Sequence, residues 1–315
     1  MSVYTKVEPS ELEAFLSQYA IGQLVSYQGI SDGIENTNYF VTTTGGRWVL
    51  TVFETVERHE LPFFLDLMDH LNDHGIPSPG PVMNNLSMHL SEIKGKPAAL
   101  VQRLSGSHVR GAPNRAQCAA MGEMMARMHI AAESFSMQRE NPRGPAWWNR
   151  VTKIVLPKLA PDDAEMLQAE LVYQDQFRTL ELPRGIIHGD LFQDNALFEG
   201  DRLSGVIDFY YACTDALLFD LAIAVNDWCS KIDGALDEEK TQDTLQAYGK
   251  TRGFTTIEAQ AWAPLLRAAA LRFWLSRLHG VHFPRPGEIT HTKDPDVFKR
   301  ILQQRIAHPP KRFAG

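Results

Sequence analysis

Cysteine is scarce in this chain. It occurs three times in 315 residues, at Cys118, Cys213 and Cys229, and nowhere with C-x-x-C spacing. An odd trio without paired spacing reads as free thiols in a reducing compartment, not as a disulfide framework or a zinc site. Basic charge is also short: 31 Lys and Arg stand against 38 Asp and Glu, a net charge of -7. That balance argues against a duplex nucleic-acid partner, which would call for a basic footprint. No stretch approaches the roughly 18 uninterrupted apolar residues of a membrane span. The opening residues Met1 to Lys6 hold no apolar signal core. The expectation is a soluble, cytoplasmic protein with no nucleic-acid and no membrane partner. Internal repeats and low-complexity segments are missing too. What is present is an ordinary globular composition, 44% hydrophobic and 22% charged, in a chain long enough for two lobes.

The pattern along the chain divides near Ser105-Gly106-Ser107. Ser10 to Glu13 has capping-box spacing, and Leu12, Phe15, Leu16 and Tyr19 follow at helical intervals. Strand-like runs cover 24–28, 38–43 and 47–53, with Gly45-Gly46 as a hairpin turn between the last two. Leu61, Phe64, Leu65, Met68 and Leu71 predict a helix, provided Pro62 sits in its first turn. Strands at 87–93 and 98–104 flank a turn at 94–97. Beyond Gly106 the pattern turns mostly helical. Met121, Met124, Met125 and Met128 form a stripe suited to core filling. Pro142 to Pro145, with Trp147 and Trp148, reads as a surface loop docking aromatics, and 157–163 as another break. Long helices are expected over 163–180 and 256–278. The fold class is α+β: a small antiparallel-sheet lobe over 1–105 and a larger, mainly helical lobe over 106–315.

One constellation carries chemistry. His188-Gly189-Asp190 is followed by Asn195, and the apolar run Val206-Ile207 ends in Asp208. A His two residues before an Asp, an Asn five residues after it, and a second Asp beyond a turn form the H-x-D-x-x-x-x-N plus Asp arrangement of a phosphotransferase. Gly200-Asp201 turns the chain so that Asp208 returns beside Asn195. Asn195 and Asp208 are the candidate Mg²⁺ ligands, since this ion takes oxygen donors and only one or two protein carboxylates. Asp190 is the catalytic candidate, accepting the hydrogen bond and proton of a substrate hydroxyl. His188 is grouped with it, chiefly as a brace of the loop. Asp194 reads as a solvated turn carboxylate. Asp220 reads as a structural residue that anchors the loop by capping a helix N-terminus.

These residues resemble the aminoglycoside phosphotransferase and choline kinase superfamily, distant relatives of the protein kinases. The catalytic loop, the Val206-Ile207-Asp208 strand, Asp220-Leu221-Ala222 and the helix Gly122 to His129 all carry the likeness. Two further segments, 29–40 with 48–54 and 271–278, resemble its bacterial homoserine kinase branch. The resemblance implies a bilobal protein-kinase-like fold and phosphoryl transfer from ATP with Mg²⁺. It makes 29–38 a loop over the nucleotide, with the amides of Gly29 and Gly33 near phosphate and Ser31, Asn36 or Thr37 adding donors. It also places adenine against the backbone around Gln102 to Leu104. One position departs from the superfamily. The third strand of a kinase-like fold holds a Lys for the phosphates, whereas Val49-Leu50-Thr51-Val52 puts Thr51 there. A hydroxyl cannot supply an ammonium's charge.

The branch implies L-homoserine as acceptor, in threonine biosynthesis. Its carboxylate suits an Arg fork and its ammonium a carboxylate. Arg267, Arg272 and Arg277 share the last long helix, but five-residue spacing spreads them around it, so they cannot face one pocket. Arg272, among apolar and aromatic neighbours, is the candidate for the carboxylate. Tyr210 and Tyr211 are candidate pocket walls and Asp32 a candidate ammonium contact. The alternatives are a kinase for an aminoglycoside, choline or another small alcohol, and a non-catalytic nucleotide-binding scaffold.

Overall fold

The computed structural model describes residues 4–30, 36–283, 293–311 and 313. They fall into two compact units: Met1–Ser105 with Gly205–Ile207, and a larger one holding Gly106–Ser204 and most of the chain after Asp208.

The first unit is a five-stranded antiparallel sheet with two helices. Helix α1 (Pro9–Leu16) precedes strands β1 (Leu24–Gly29), β2 (Asn36–Thr43) and β3 (Gly46–Phe53). Helix α2 (Leu61–Asp73) and strands β4 (Leu90–Ile93) and β5 (Lys96–Gln102) follow, in the sheet order β1-β2-β3-β5-β4. The capping box lies two residues earlier than the sequence suggests. Pro9 opens α1, and the Glu11 carboxylate reaches back to accept the Glu8 N–H at 2.8 Å, because proline's fixed φ suits the first helical position. The strands at 87–93 and 98–104 are also displaced. Lys94 and Gly95 both take positive φ, 53° and 74°, so they form the two-residue turn favoured by strand twist, and pairing begins at Ile93 with Lys96. In the earlier hairpin the loop is Thr44-Gly45, since Thr43 pairs with Gly46. Pro62 does lie in the first turn of α2. Leu12, Phe15, Leu16, Tyr39, Val41, Leu50, Val52 and Leu100 pack as one core between α1 and one sheet face.

The second unit is helical with two small hairpins. Helices α3 (Arg115–Ala131), α4 (Pro145–Val155) and α5 (Pro161–Asp175) lead to strand β6 (Arg184–Ile187). Strands β7 (Ala196–Glu199), β8 (Arg202–Val206) and β9 (Cys213–Ala216) come next, then α6 (Leu217–Trp228), α7 (Glu238–Thr251), α8 (Thr256–His282) and α9 (Pro295–Ala307). Strand β6 pairs with β9, and β7 with β8. The methionine stripe is core: Met121, Met124, Met125 and Met128 are buried on α3, which lies along α7. The expected loop at Trp147-Trp148 is instead the start of α4. Pro145 sits in its first turn and both indoles are buried. The break at 157–163 is shorter than expected, and α5 ends at Asp175, five residues early.

Candidate active site

The catalytic loop leaves β6 and is held by its own backbone. Gly189 takes φ +76°, and a Cβ there would lie 2.8 Å from the Tyr211 carbonyl oxygen, so only glycine fits between His188 and Asp190. The amides of His188 and Gly189 both donate to Asp220, at 2.8 Å each. The same carboxylate accepts from His129 Nε2 at 3.1 Å, and His129 Nδ1 lies 2.8 Å from the Tyr248 hydroxyl. Asp220 and His129 are wholly buried. Burial alone would raise the Asp220 carboxyl, but the His129 partnership and the loop amides hold it below the usual carboxylate range. Asp220 therefore anchors the loop, though not as a helix cap. It sits inside the first turn of α6, whose N-cap is Ala216.

Asp227 lies seven residues further along α6, two turns on and so on the same face. It accepts the Gln193 N–H at 2.8 Å, while the Gln193 side chain returns a bond to the Asp227 carbonyl. Burial pushes its carboxyl up to about 6. Two carboxylates on one helix thus grip the two ends of the loop. Asp227 did not emerge from the motif, although its i, i+7 relation to Asp220 was the available signal.

Between these grips lies Asp190. Its N–H donates to His188 Nδ1 at 3.3 Å, so His188, buried against Phe209, braces the loop. Asn195 donates through Nδ2 to the Asp190 carbonyl at 2.8 Å and to Oδ2 at 3.3 Å. Its amide oxygen accepts no hydrogen bond among the described residues, which is the condition a metal ligand needs. Asp208 follows β8 with φ 64° and ψ 63°, a left-handed conformation that costs a non-glycine residue about 1 kcal/mol or more. Its charge acts on Asp190. Burial pushes the Asp190 carboxyl up to about 7; Arg272 opposes the rise and Asp208 adds to it. No cluster of three His, Cys, Asp or Glu suited to a metal occurs among the described residues. One amide oxygen and one carboxylate instead fit a hard cation that keeps most of its waters.

Arg272 reaches this centre from α8. Nη1 is 3.7 Å from Asp190 Oδ1, and the guanidinium stacks on Phe273 and faces Tyr211. Burial lowers its proton affinity and Asp190 restores part of it. The other two arginines diverge, as their spacing requires. Arg267 pairs with Glu170 and stacks on Tyr173, while Arg277 donates to the Asp294 carbonyl and lies over Phe298. Tyr210 and Tyr211 form a 3₁₀ turn straight after Asp208, both half-buried. Asp194 pairs with Lys293 at 2.7 Å.

In the sheet unit the candidates separate by face. Thr37 turns toward α1, where its hydroxyl accepts the Tyr4 and Thr5 amides and donates to Glu54. Glu54 also pairs with Lys96. Asn38 and Thr51 occupy the opposite face, joined by a 2.8 Å hydrogen bond. Lys96 shares the Thr37 face, so it does not stand in for the missing lysine at Thr51. Gly29 ends β1, and Asn36 starts β2 with its side-chain oxygen 3.4 Å from the Glu54 amide. Ser31, Asp32 and Gly33 lie outside the described residues. The Gln102 N–H is taken by the Gly80 carbonyl. Leu104, by contrast, has neither backbone group bonded among the described residues.

The family model described as the phosphotransferase enzyme family matches residues 26–254. The chain belongs to that family. It is 52% identical over 307 residues to the homoserine kinase of Methylobacillus flagellatus, covering 98% of this chain and 96% of that protein. The homoserine kinase of Neisseria meningitidis serogroup B is 46% identical over 302 residues, covering 96% and 99%. These identities place the chain in the homoserine kinase branch. Among solved structures, an amicoumacin kinase in complex with AMP-PNP, Ca²⁺ and its antibiotic superposes with TM-score 0.74 at 15% identity, over 98% and 96% of the two chains. A choline kinase from Cryptosporidium parvum gives 0.66 at 14%, over 95% and 96%. The fold is the kinase-like one, and the chain is an ATP-using phosphotransferase with an alcohol as acceptor. No described helix is long and apolar enough to cross a membrane.

Proposed function

We propose that this enzyme transfers the γ-phosphoryl group of ATP to the hydroxyl of L-homoserine, giving O-phosphohomoserine for threonine synthesis. The observation that carries the reading is near-full-length identity of 41–52% to homoserine kinases. Asp190 accepts the substrate hydroxyl's hydrogen bond and takes its proton, and a carboxyl pushed up to about 7 is suited to such a base at neutral pH. Asn195 holds that carboxylate in place. His188, Asp220 and Asp227 act on the loop and do not touch the reacting atoms. Arg272 faces the acceptor from the other side of Asp190.

Asn195 and Asp208 would hold Mg²⁺, which when bound neutralises charge on the transferring phosphates. In the sheet unit, the Gly29 amide, Asn36 and the free backbone groups of Leu104 serve the nucleotide. Thr37 and the Gln102 amide, already bonded internally, support that surface from behind. Purified enzyme assayed for ADP release against L-homoserine, choline, an aminoglycoside and simple amino alcohols tests the substrate. Strong, selective turnover of L-homoserine is expected. Preference for any other alcohol, with none for homoserine, overturns it.

A further inference from the structure

Arg143 shares the Tyr211 ring with Arg272, and neither the motif nor the C-terminal helix announced it. It ends a loop, 138–143, that is zipped to the segment just after Asp208 and the tyrosines. The Arg139 N–H donates to the Thr214 hydroxyl, and the Thr214 N–H donates to the Arg139 carbonyl. Arg139 Nη1 donates to the Ala212 carbonyl, and Asn141 donates to Asp215 at 2.6 Å. Asn141 Oδ1 then accepts the Arg143 amide, and the Trp148 indole N–H donates to the Arg143 carbonyl.

The side chain so placed has nothing to hold. The half-buried guanidinium stacks on Trp147, with Cζ 4.6 Å from the ring centroid, and faces Tyr211 at 5.8 Å. None of its five N–H donors has a hydrogen-bond acceptor among the described residues. Arg272 is in the same condition. It is buried, its Cζ lies 5.2 Å from the same Tyr211 ring, and its one ion-pair contact among the described residues is Asp190 at 3.7 Å. Two like charges turned toward one ring disfavour each other, and Arg143 does lower Arg272's proton affinity. Such an arrangement persists when a shared anion completes it.

We propose that Arg143 and Arg272 together form a two-guanidinium clamp for the α-carboxylate of the acceptor, Arg143 being its specificity-determining half. The inference rests on the homoserine reading. Chemistry favours the carboxylate over a phosphate oxygen. Arg272 adjoins Asp190, where the acceptor hydroxyl must sit, and in homoserine the carboxylate carbon is about 5 Å from that hydroxyl. The phosphates meet the metal ligands instead.

The test is steady-state kinetics on wild type, Arg143→Gln and Arg143→Lys, with L-homoserine and with 3-aminopropan-1-ol, which is homoserine without its carboxylate. The amino alcohol is used as substrate or as inhibitor against L-homoserine. Arg143→Gln should raise KM for L-homoserine about tenfold or more. KM for ATP and the amino alcohol's affinity should stay within about threefold. Arg143→Lys, which keeps charge but loses the planar fork, should fall between. An unchanged KM for L-homoserine overturns the clamp, as does an equal loss on both acceptors or a raised KM for ATP. If wild type turns over L-homoserine while Arg143→Gln is unaffected, the clamp alone fails. If wild type does not turn it over, the homoserine reading fails with it.

Discussion

Burial pushes the Asp190 carboxyl up to about 7, so the folded chain holds a proton there that an unfolded chain releases near pH 4. Between those values the folded state binds more protons than the unfolded one, and stability falls as pH rises through the window. The residue that chemistry requires is thus one that folding disfavours. Asp190→Asn should cut kcat by about 10²–10⁴-fold. In metal-free buffer its Tm relative to wild type should also climb between pH 4.5 and pH 7.5. Thermal unfolding across that range, with kcat measured alongside, checks both; a Tm difference independent of pH would refute the burial argument. Asp220 behaves in the opposite sense. Its lowered carboxyl serves three donors, and an Asn amide can accept on one atom only. Asp220→Asn should cost about 3 kcal/mol of unfolding free energy by denaturant titration, together with most turnover.

Helix α6 is the element on which the site depends, because Asp220 and Asp227 project from one of its faces to the two ends of the loop. Its far end is clamped by α9. Arg305 is buried, has no carboxylate partner among the described residues, and donates to Asn226 Oδ1, the Gly234 carbonyl and Ser230 Oγ. Arg305→Lys keeps one charge but cannot span three acceptors. A loss of about 2–4 kcal/mol in chemical denaturation is expected, with KM for substrates little changed. The loop itself is limited by Gly189. Gly189→Ala must strain a φ of +76° and push on the Tyr211 carbonyl, at about 1–3 kcal/mol. Its kcat should fall more than that stability loss would explain, because the displacement reaches Asp190 directly.

At the scale of the whole molecule, nucleotide and metal should report themselves as stability. A ligand that binds only the folded chain at about 100 times its Kd adds roughly 2.7 kcal/mol. AMP-PNP with Mg²⁺ should therefore raise Tm by several degrees, and chelator should remove most of the gain. In Asp208→Asn the gain should need far more Mg²⁺, while the unliganded Tm holds or rises as the left-handed strain of Asp208 is eased by an Asn side chain. The same Mg²⁺ dependence of the nucleotide shift in Asp208→Asn as in wild type would remove Asp208 from the metal site.

The sequence by itself determined the parts fixed by local chemistry. His188, Asp190, Asn195 and Asp208 are read from spacing because one loop and one hairpin bring them together, whatever else the fold does. The strand positions, α1, α2 and the methionine core follow from periodicity, whereas the sheet order β1-β2-β3-β5-β4 is a matter of tertiary pairing. Element ends were less legible: Pro9 and Pro145 each begin a helix where the pattern suggested a later start or a loop, since proline's fixed φ acts at one position and leaves no period. Tertiary structure decided the rest. Asp220 serves the loop from inside α6 and not from its cap, and the Thr37 hydroxyl is taken up by the Tyr4 and Thr5 amides and Glu54. Arg272 alone among three arginines on α8 reaches Asp190, and Arg143, 47 residues before that aspartate in the sequence, is brought to the same Tyr211 ring as Arg272 by a loop zipped to β9. Spacing along a chain encodes contacts within a turn or a hairpin, whereas which of several cations meets a given carboxylate depends on how separate elements pack.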